Sequence, residues 1–254
     1  MNLTIKGEAV PALGFGTWQL QGKQCREAVA DALALGYRHL DTAQAYENEA
    51  EVGQALRTTD VAREDVFLVT KVRPQNFAHD RVLSSTQESL KKLGVDYVDL
   101  LLMHWPNPDV PLRETLDAFN ELQGDGRIRH IGVSNFSTAQ VEDAELHATI
   151  FCNQVKYHPY EQPHGLVQQA KAHGYMLTAY SPLARGEIQN DPVLQEIGSR
   201  YNKSVAQVAL RWLVQQGVAA IPKAGSAEHR KANFTIFDFA LTEDEMQTIF
   251  ALRH

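Results

Sequence analysis

Residues 66–105 read VFLVTKVRPQNFAHDRVLSSTQESLKKLGVDYVDLLLMHW, and their order sets the fold class. An apolar run, Val66–Val72, is followed by a stretch of helical spacing, Leu83–Leu93, that stops at Gly94; a second apolar run, Val98–Trp105, comes next. Both runs are too continuous for strands with one face in water. They predict parallel strands covered on both sides and joined by a helical crossover. A glycine just past the last apolar turn is a usual helix stop, because it adopts the left-handed conformation there without a Cβ clash.

The same alternation continues in both directions. Further candidate strands are Leu13–Trp18, Tyr37–Ala43, Ile128–Asn135, Ile150–Tyr157, Met176–Leu183 and Val218–Lys223, which makes eight. Helical spacing returns in Ala28, Val29, Ala32, Leu33 and Leu35 ahead of Gly36, and in Val205–Val214 ahead of Gly217. Eight such units predict an α/β fold closed into a (β/α)8 (TIM) barrel. Leu3–Ile5, Gly7 and Ala9–Val10 read as a hairpin able to plug the barrel floor, and Thr242–Leu252 as a last amphipathic helix. No low-complexity stretch or Gly/Ser linker intervenes, so residues 1–254 read as a single domain.

The composition narrows the function classes. A hydrophobic content of 44% supports a large core, and a formal charge of -7 with acids and bases interspersed excludes a surface built to neutralise nucleic-acid or membrane phosphate. Cys25 and Cys152 are the only cysteines, too few for a disulfide framework, which suits a reducing compartment. The first residues lack an apolar signal core, and no run approaches the roughly 18 apolar residues of a spanning helix. The expectation is a cytoplasmic protein acting on a small molecule.

In a parallel barrel the strand C-termini converge on one mouth, so polar side chains there are the first candidates for chemistry. Three neighbouring runs end His39-Leu40-Asp41-Thr42, Thr70-Lys71-Val72 and Met103-His104-Trp105-Pro106. Burying Asp41 or Lys71 alone would cost several kcal/mol, so the two are expected to pair. A structural ion pair would account for any one of these residues; the coincidence of three strands at one level points to a site. The loop from Asp41 to Glu49 adds the phenol of Tyr46. An ammonium beside a phenol stabilises phenolate and draws the pKa down from about 10, making a better proton donor to a developing alkoxide.

Other motifs are weak. Gly14-Phe15-Gly16 lacks the third glycine and following helix of a Rossmann fingerprint, and no phosphate loop is present. His158, His164 and His173 are spaced irregularly around Pro159 and Pro163; they read as surface residues, with no tetrahedral metal set. Neither cysteine has a neighbour that would make it a nucleophile.

In these residues the chain resembles the aldo-keto reductase superfamily over nearly its whole length. The matching segments, in order, are Gly14-Phe15-Gly16-Thr17-Trp18, Asp41 through Glu49, Thr70-Lys71-Val72, His104-Trp105-Pro106, Gly132-Val133-Ser134-Asn135-Phe136, Asn153-Gln154-Val155, Ala179-Tyr180-Ser181-Pro182-Leu183 and Ile221-Pro222-Lys223. The resemblance implies reduction of aldehydes and small ketones by hydride from NADPH. It places the catalytic tetrad on Asp41, Tyr46, Lys71 and His104, with Tyr46 as general acid, Lys71 tuning it, Asp41 holding Lys71 and His104 orienting the carbonyl. It also implies that Ser134, Asn135 and Gln154 bond the nicotinamide carboxamide, that Tyr180 stacks on the ring, and that Ser181 and Leu183 follow the pyrophosphate. Gly16, Thr17, Trp18 and Asp41 join that cofactor set, and Lys223, His229, Arg230 and Asn233 belong to the adenosine end. Taken singly, Tyr180 could be core, and Ser134-Asn135 could cap a helix starting near Ser137-Thr138.

The chain departs from the family at the adenosine 2′-phosphate. Lys223 is present, but Ala224 replaces the adjoining Ser, and His229 stands where an Arg usually lies, with Arg230 one place later. A neutral His offers one donor instead of a bidentate fork, so NADH enters as an alternative to NADPH. The mouth loops are short, which predicts broad substrate acceptance and resembles the diketogluconate reductase and methylglyoxal reductase branch. The substrate pocket is expected to hold Trp18, Tyr46, Arg73, His104 and Trp105. Arg73 faces that pocket if the strand alternation from Lys71 persists, and is solvated if Pro74 ends the strand first. Two other classes compete: a Schiff-base lyase using Lys71, and a non-catalytic nicotinamide-binding sensor. A monomer is the family's habit.

Overall fold

The computed structural model describes residues 1–163 and 165–253; His164, read above as a surface residue, lies outside them. It opens with an antiparallel hairpin, β1 (Asn2–Ile5) and β2 (Glu8–Pro11), turned by Lys6 and Gly7 at φ 47° and 87°. Two successive left-handed residues match the twist of a tight hairpin. Eight parallel strands then line up in sequence order: β3 (Phe15–Gly16), β4 (His39–Asp41), β5 (Phe67–Val72), β6 (Val98–Met103), β7 (Ile128–Ser134), β8 (Ile150–Lys156), β9 (Met176–Tyr180) and β10 (Ala219–Ala220). The ends of this sheet meet through a parallel bridge between Leu13 and Ala220, so the sheet curls round as the alternation predicted.

The first and last strands are shorter than the apolar runs Leu13–Trp18 and Val218–Lys223. The seam explains why. Gly14 N–H donates to the Ala220 carbonyl and Gly16 N–H to the Pro222 carbonyl, but Pro222 returns no donor, so the ladder stops there. A Cβ on Gly16 would sit 2.7 Å from the Ile221 carbonyl oxygen, so only glycine allows the two backbones to close.

Helices cover the outside: α1 (Gly22–Leu35), α2 (Glu49–Arg57), α3 (His79–Leu93), α4 (Leu112–Gly124), α5 (Thr138–Glu145), α6 (Leu166–His173), α7 (Pro192–Tyr201), α8 (Val205–Gln215), α9 (Ala227–Phe234) and α10 (Glu243–Phe250). Helix α1 ends on left-handed Gly36 and α3 on left-handed Gly94, as read from the sequence. Helix α10 is the expected last helix, its start held by a capping box between Thr242 and Glu245. Helix α5 is capped by Ser137 with Gln140, which leaves Ser134 and Asn135 free of a capping role.

The barrel interior has two storeys. At the floor, the rings of His39, Phe67, Phe151 and His130 pack in succession, with centroids 5.3, 6.2 and 3.9 Å apart. The hairpin is fastened beneath them: the Pro11 carbonyl meets His39 Nδ1, Glu8 meets His130 Nε2, and Lys6 donates to the His173 carbonyl. At the mouth the inward side chains turn polar.

Between neighbouring helices the packing leaves little slack. A Cβ on Gly53 of α2 would fall 2.4 Å from the Leu93 carbonyl oxygen and 2.5 Å from that of Lys92 at the end of α3. Gly53→Ala is therefore expected to force these helices apart and lower stability by roughly 1–3 kcal/mol, read as a reduced urea midpoint at unchanged m-value.

Candidate active site

The site is organised around one buried ammonium. Lys71, on β5, is wholly inaccessible, and its Nζ donates to Asp41 Oδ1 at 2.6 Å, to the Thr42 carbonyl at 2.9 Å and to Tyr46 Oη at 3.3 Å. All three of its protons are used. Alternation along β5 gives this direction: Thr70 turns outward to bond Glu49, and Lys71 turns in. The second oxygen of Asp41 accepts from Gln154 Nε2 at 2.8 Å, across the barrel from β8. Burial disfavours the charge on Lys71, but Asp41 and the Tyr46 oxygen beside it raise its pKa overall.

Tyr46 lies in a short 3-10 turn, Gln44–Tyr46, that ends on left-handed Glu47. Its loop is tied down by Asn48, which accepts from Thr42 Oγ1 and donates to the carbonyls of Thr17 and Leu20. Burial pushes the Tyr46 phenol above its ordinary value, and Lys71 opposes this only in part. The sequence-based expectation of a lowered pKa accounted for the ammonium and not for the desolvation. His104 stands edge-on to Tyr46, ring centroids 5.7 Å apart. Burial, reinforced by the Lys71 charge, holds its pKa down to about 4, so at neutral pH it is an uncharged imidazole.

These groups open on a cavity of about 810 Å³ at the barrel mouth. Asp41, Tyr46, His104, Gly16, Trp18, Trp105, Ser134, Asn135, Gln154, Tyr180, Ser181, Leu183 and Lys223 all line it. Lys71 lies behind Tyr46, and Thr17 is buried behind Trp18, bonding the Asp41 carbonyl through both its amide and its hydroxyl. Along the far wall, Tyr180 Oη donates to Asn135 Oδ1, Asn135 Nδ2 to Ser134 Oγ, and Ser134 Oγ to the Gln154 carbonyl.

Other expected residues lie elsewhere. Arg73 does not reach the cavity. Strand β5 ends at Val72, and Arg73, at φ -71° and ψ 150° ahead of Pro74, lays its guanidinium against the Gln44 carbonyl, half-buried behind the tyrosine loop. Neither the inward nor the solvated reading described it. Arg230 is buried, bonding Asp31 Oδ2 at 2.6 Å and the carbonyls of Ala224 and Gly225, so its charge joins α1 to α9. His229 is exposed on α9, and Asn233 is buried on the same helix. His158, read as a surface residue, is buried and lines the cavity, because its ring packs inward where β8 ends; His173 is exposed. The sequence reading missed Lys156 and Arg185, both of which line the cavity. Lys156 was legible as one strand repeat beyond Gln154, whereas nothing local marks the direction of Arg185.

Residues 12–254 match the model of the Aldo/keto reductase family. The chain belongs to that family. It is 39% identical to glyoxal reductase of Bacillus subtilis, covering 97% of this chain and 90% of that protein. It is also 39% identical to methylglyoxal reductase DkgB of Salmonella typhimurium, covering 96% and 93%. Among solved structures it is similar to a putative 2,5-diketo-D-gluconic acid reductase B, with a TM-score of 0.97, 48% identity and coverage of 100% and 92%. Aldo/keto reductases are carbonyl-reducing oxidoreductases that use nicotinamide cofactors, and their barrel fold is the one described here. The cavity fits such a group: a polar wall of amide and hydroxyl groups at the ends of β7 and β8, a half-exposed tyrosine ring, and the exposed Lys223 ammonium at the outer end. Among the described residues no helix is long and apolar enough to cross a membrane.

The depressed pKa of His104 has a testable sign. Its folded value, about 4, lies below the unfolded value of about 6.5, so the unfolded chain binds the extra proton first. The stabilisation from keeping it neutral is present above pH ~6.5 and lost as pH falls toward 4. In NMR the His104 ring resonances should stay flat between pH ~8 and ~5.5; a midpoint near 6.5 would contradict the assigned environment.

Proposed function

We propose that the protein is an NAD(P)H-dependent reductase of aldehydes and small ketones, with Tyr46 as the proton donor. The observation that carries this is the buried Lys71 ammonium, held by Asp41 and reaching Tyr46 Oη at 3.3 Å, with the phenol opening on the cavity beside His104. Tyr46 Oη gives its proton to the carbonyl oxygen. The phenolate left behind gains the full charge of Lys71 at short range, in a place where water cannot screen it. His104, uncharged, can donate one N–H to the same oxygen and orient the carbonyl. When bound, the reduced nicotinamide supplies the hydride that reaches the carbonyl carbon. Ser134, Asn135 and Gln154 would hold its carboxamide, Tyr180 its ring, and Gly16, Trp18, Ser181 and Leu183 the neighbouring stretch, with Thr17 behind them.

The same geometry argues against a Schiff-base lyase. A nucleophilic lysine must be neutral and reach the substrate, whereas Lys71 is kept charged, has every proton engaged and stands behind Tyr46. A nicotinamide-binding sensor would bind cofactor without turnover, and mixing NADPH or NADH with an aromatic aldehyde distinguishes the two. The proposal includes a single domain over residues 1–254, a monomer, and a cytoplasmic setting.

Tyr46→Phe should lower kcat for aldehyde reduction by at least about a hundredfold with little change in cofactor dissociation constant, since it deletes the proton donor and leaves the nucleotide groove intact. Retention of most of kcat would reject Tyr46 as the acid.

At the adenosine end we propose that Lys223 and His229 meet the 2′-phosphate, with Asn233 on the same helix and Arg230 withdrawn into its contact with Asp31. NADPH is then preferred over NADH only weakly. His229→Arg should raise the ratio of kcat/KM with NADPH to that with NADH by about tenfold, by restoring a bidentate fork. A wild type that already rejects NADH strongly, and does not respond to this substitution, would show that another group holds the phosphate.

A further inference from the structure

We propose that Arg185 selects carbonyl substrates that carry a carboxylate, an assignment that rests on the carbonyl-reducing reading of the cavity. Four cationic side chains stand at or behind the cavity wall. Lys71 is neutralised by Asp41 and Lys156 by Glu161. Lys223 also lines the cavity, and is the cation proposed above to meet the cofactor's 2′-phosphate. Arg185 is the remaining one. It is exposed, it lines the cavity, and among the described residues no carboxylate pairs with it, Glu187 included. Its guanidinium instead lies over the indole of Trp18, 4.9 Å from the ring centroid.

The backbone is built to aim it there. Ala184, Arg185 and Gly186 have φ of 46°, 52° and 100°, three left-handed residues in a row, two of them with a Cβ that disfavours this conformation. The turn is locked by Ala184 N–H on the Ser181 carbonyl at 3.0 Å and Gly186 N–H on the Leu183 carbonyl at 2.8 Å, and by the buried Ile188 beyond it. As a result the side chain of residue 185, which follows β9, reaches back to the loop that follows β3.

Trp18, in turn, is referenced to the proton donor. Thr17 bonds the Asp41 carbonyl, Asn48 holds the carbonyls on both sides of Trp18, and Gln21 Nε2 donates to the Tyr46 carbonyl at 2.7 Å. The guanidinium therefore stands over Trp18, on the wall of the cavity that Tyr46 and Tyr180 also line. A guanidinium lying over an indole uses its face for the ring and leaves its N–H edge for a planar, bidentate acceptor. A carboxylate a few bonds from the reacting carbonyl fits that edge, and a neutral substituent gains nothing from it.

The test compares 4-carboxybenzaldehyde with benzaldehyde, using the full-length protein with reduced cofactor. Wild type should favour the carboxylated aldehyde in kcat/KM, and Arg185→Leu should lower that selectivity ratio about tenfold, with Arg185→Lys falling between because it keeps charge without the fork. Calorimetric titration with benzoate, which cannot be turned over, should show binding weakened by a similar factor in Arg185→Leu, with benzyl alcohol as the neutral control. An unchanged ratio would overturn the proposal. So would a rise in the dissociation constants of NADPH and NADH without a change in the ratio, which would assign the guanidinium to the diphosphate of the cofactor. If wild type reduces neither aldehyde, the reductase reading itself fails, and the benzoate titration still decides whether Arg185 holds a carboxylate.

Discussion

One ammonium, sealed from water inside a barrel, sets most of the constraints on this molecule. An isolated charge of that kind is prohibitive, and its cost is offset only by an opposite charge at contact distance with every remaining proton placed. Asp41, the Thr42 carbonyl and Tyr46 meet that demand for Lys71, and all three come from β4 and the loop after it. The parallel register of β4 and β5, which sets Asp41 opposite Val69, puts Lys71 one inward position farther along its strand and so directly under the tyrosine loop. Gln154 then closes the other side of Asp41 from β8, so strands on opposite walls share one polar cluster.

The two storeys of the barrel make this cluster useful. The aromatic floor and the fastened hairpin exclude water from below, and the helices exclude it from the sides. Within that shell, desolvation keeps the Tyr46 phenol protonated and His104 uncharged over the neutral range. An acid with its proton retained and a neutral donor beside it suit protonation of a carbonyl oxygen, and the charge that develops on the phenol is met by Lys71 in a medium where it counts most. The cluster also extends outward. Behind the tyrosine loop, Gln44 Oε1 accepts from the Arg73 amide and from Asn76, and buried Glu49 accepts from Thr70 and Ser89. The loop that carries the phenol is thus held from the side away from the cavity as well.

Much of this was legible in the chain. Ionisable residues interrupt apolar runs at Asp41, Lys71 and His104, and because strand ends converge in a parallel barrel, residues far apart in sequence could be placed at one mouth before any coordinates. Hairpin, helix stops and final helix were legible too, since a left-handed glycine or a capping box is a local matter of backbone geometry. Strand lengths at the seam were not, because they depend on which backbone donors survive where two distant segments meet.

The sequence by itself determined the alternation of strand and helix, and with it the barrel, the family and the set of polar residues at the strand ends. Only the tertiary structure decided where the cations beyond the strand ends go. Once a strand has ended, alternation no longer dictates direction, and a long charged side chain goes to whichever partner the fold brings within reach. Arg73 goes to the Gln44 carbonyl, Arg230 to Asp31 on α1 and Arg185 to Trp18. All three partners lie more than twenty positions away in the chain, which is why no local pattern could announce them.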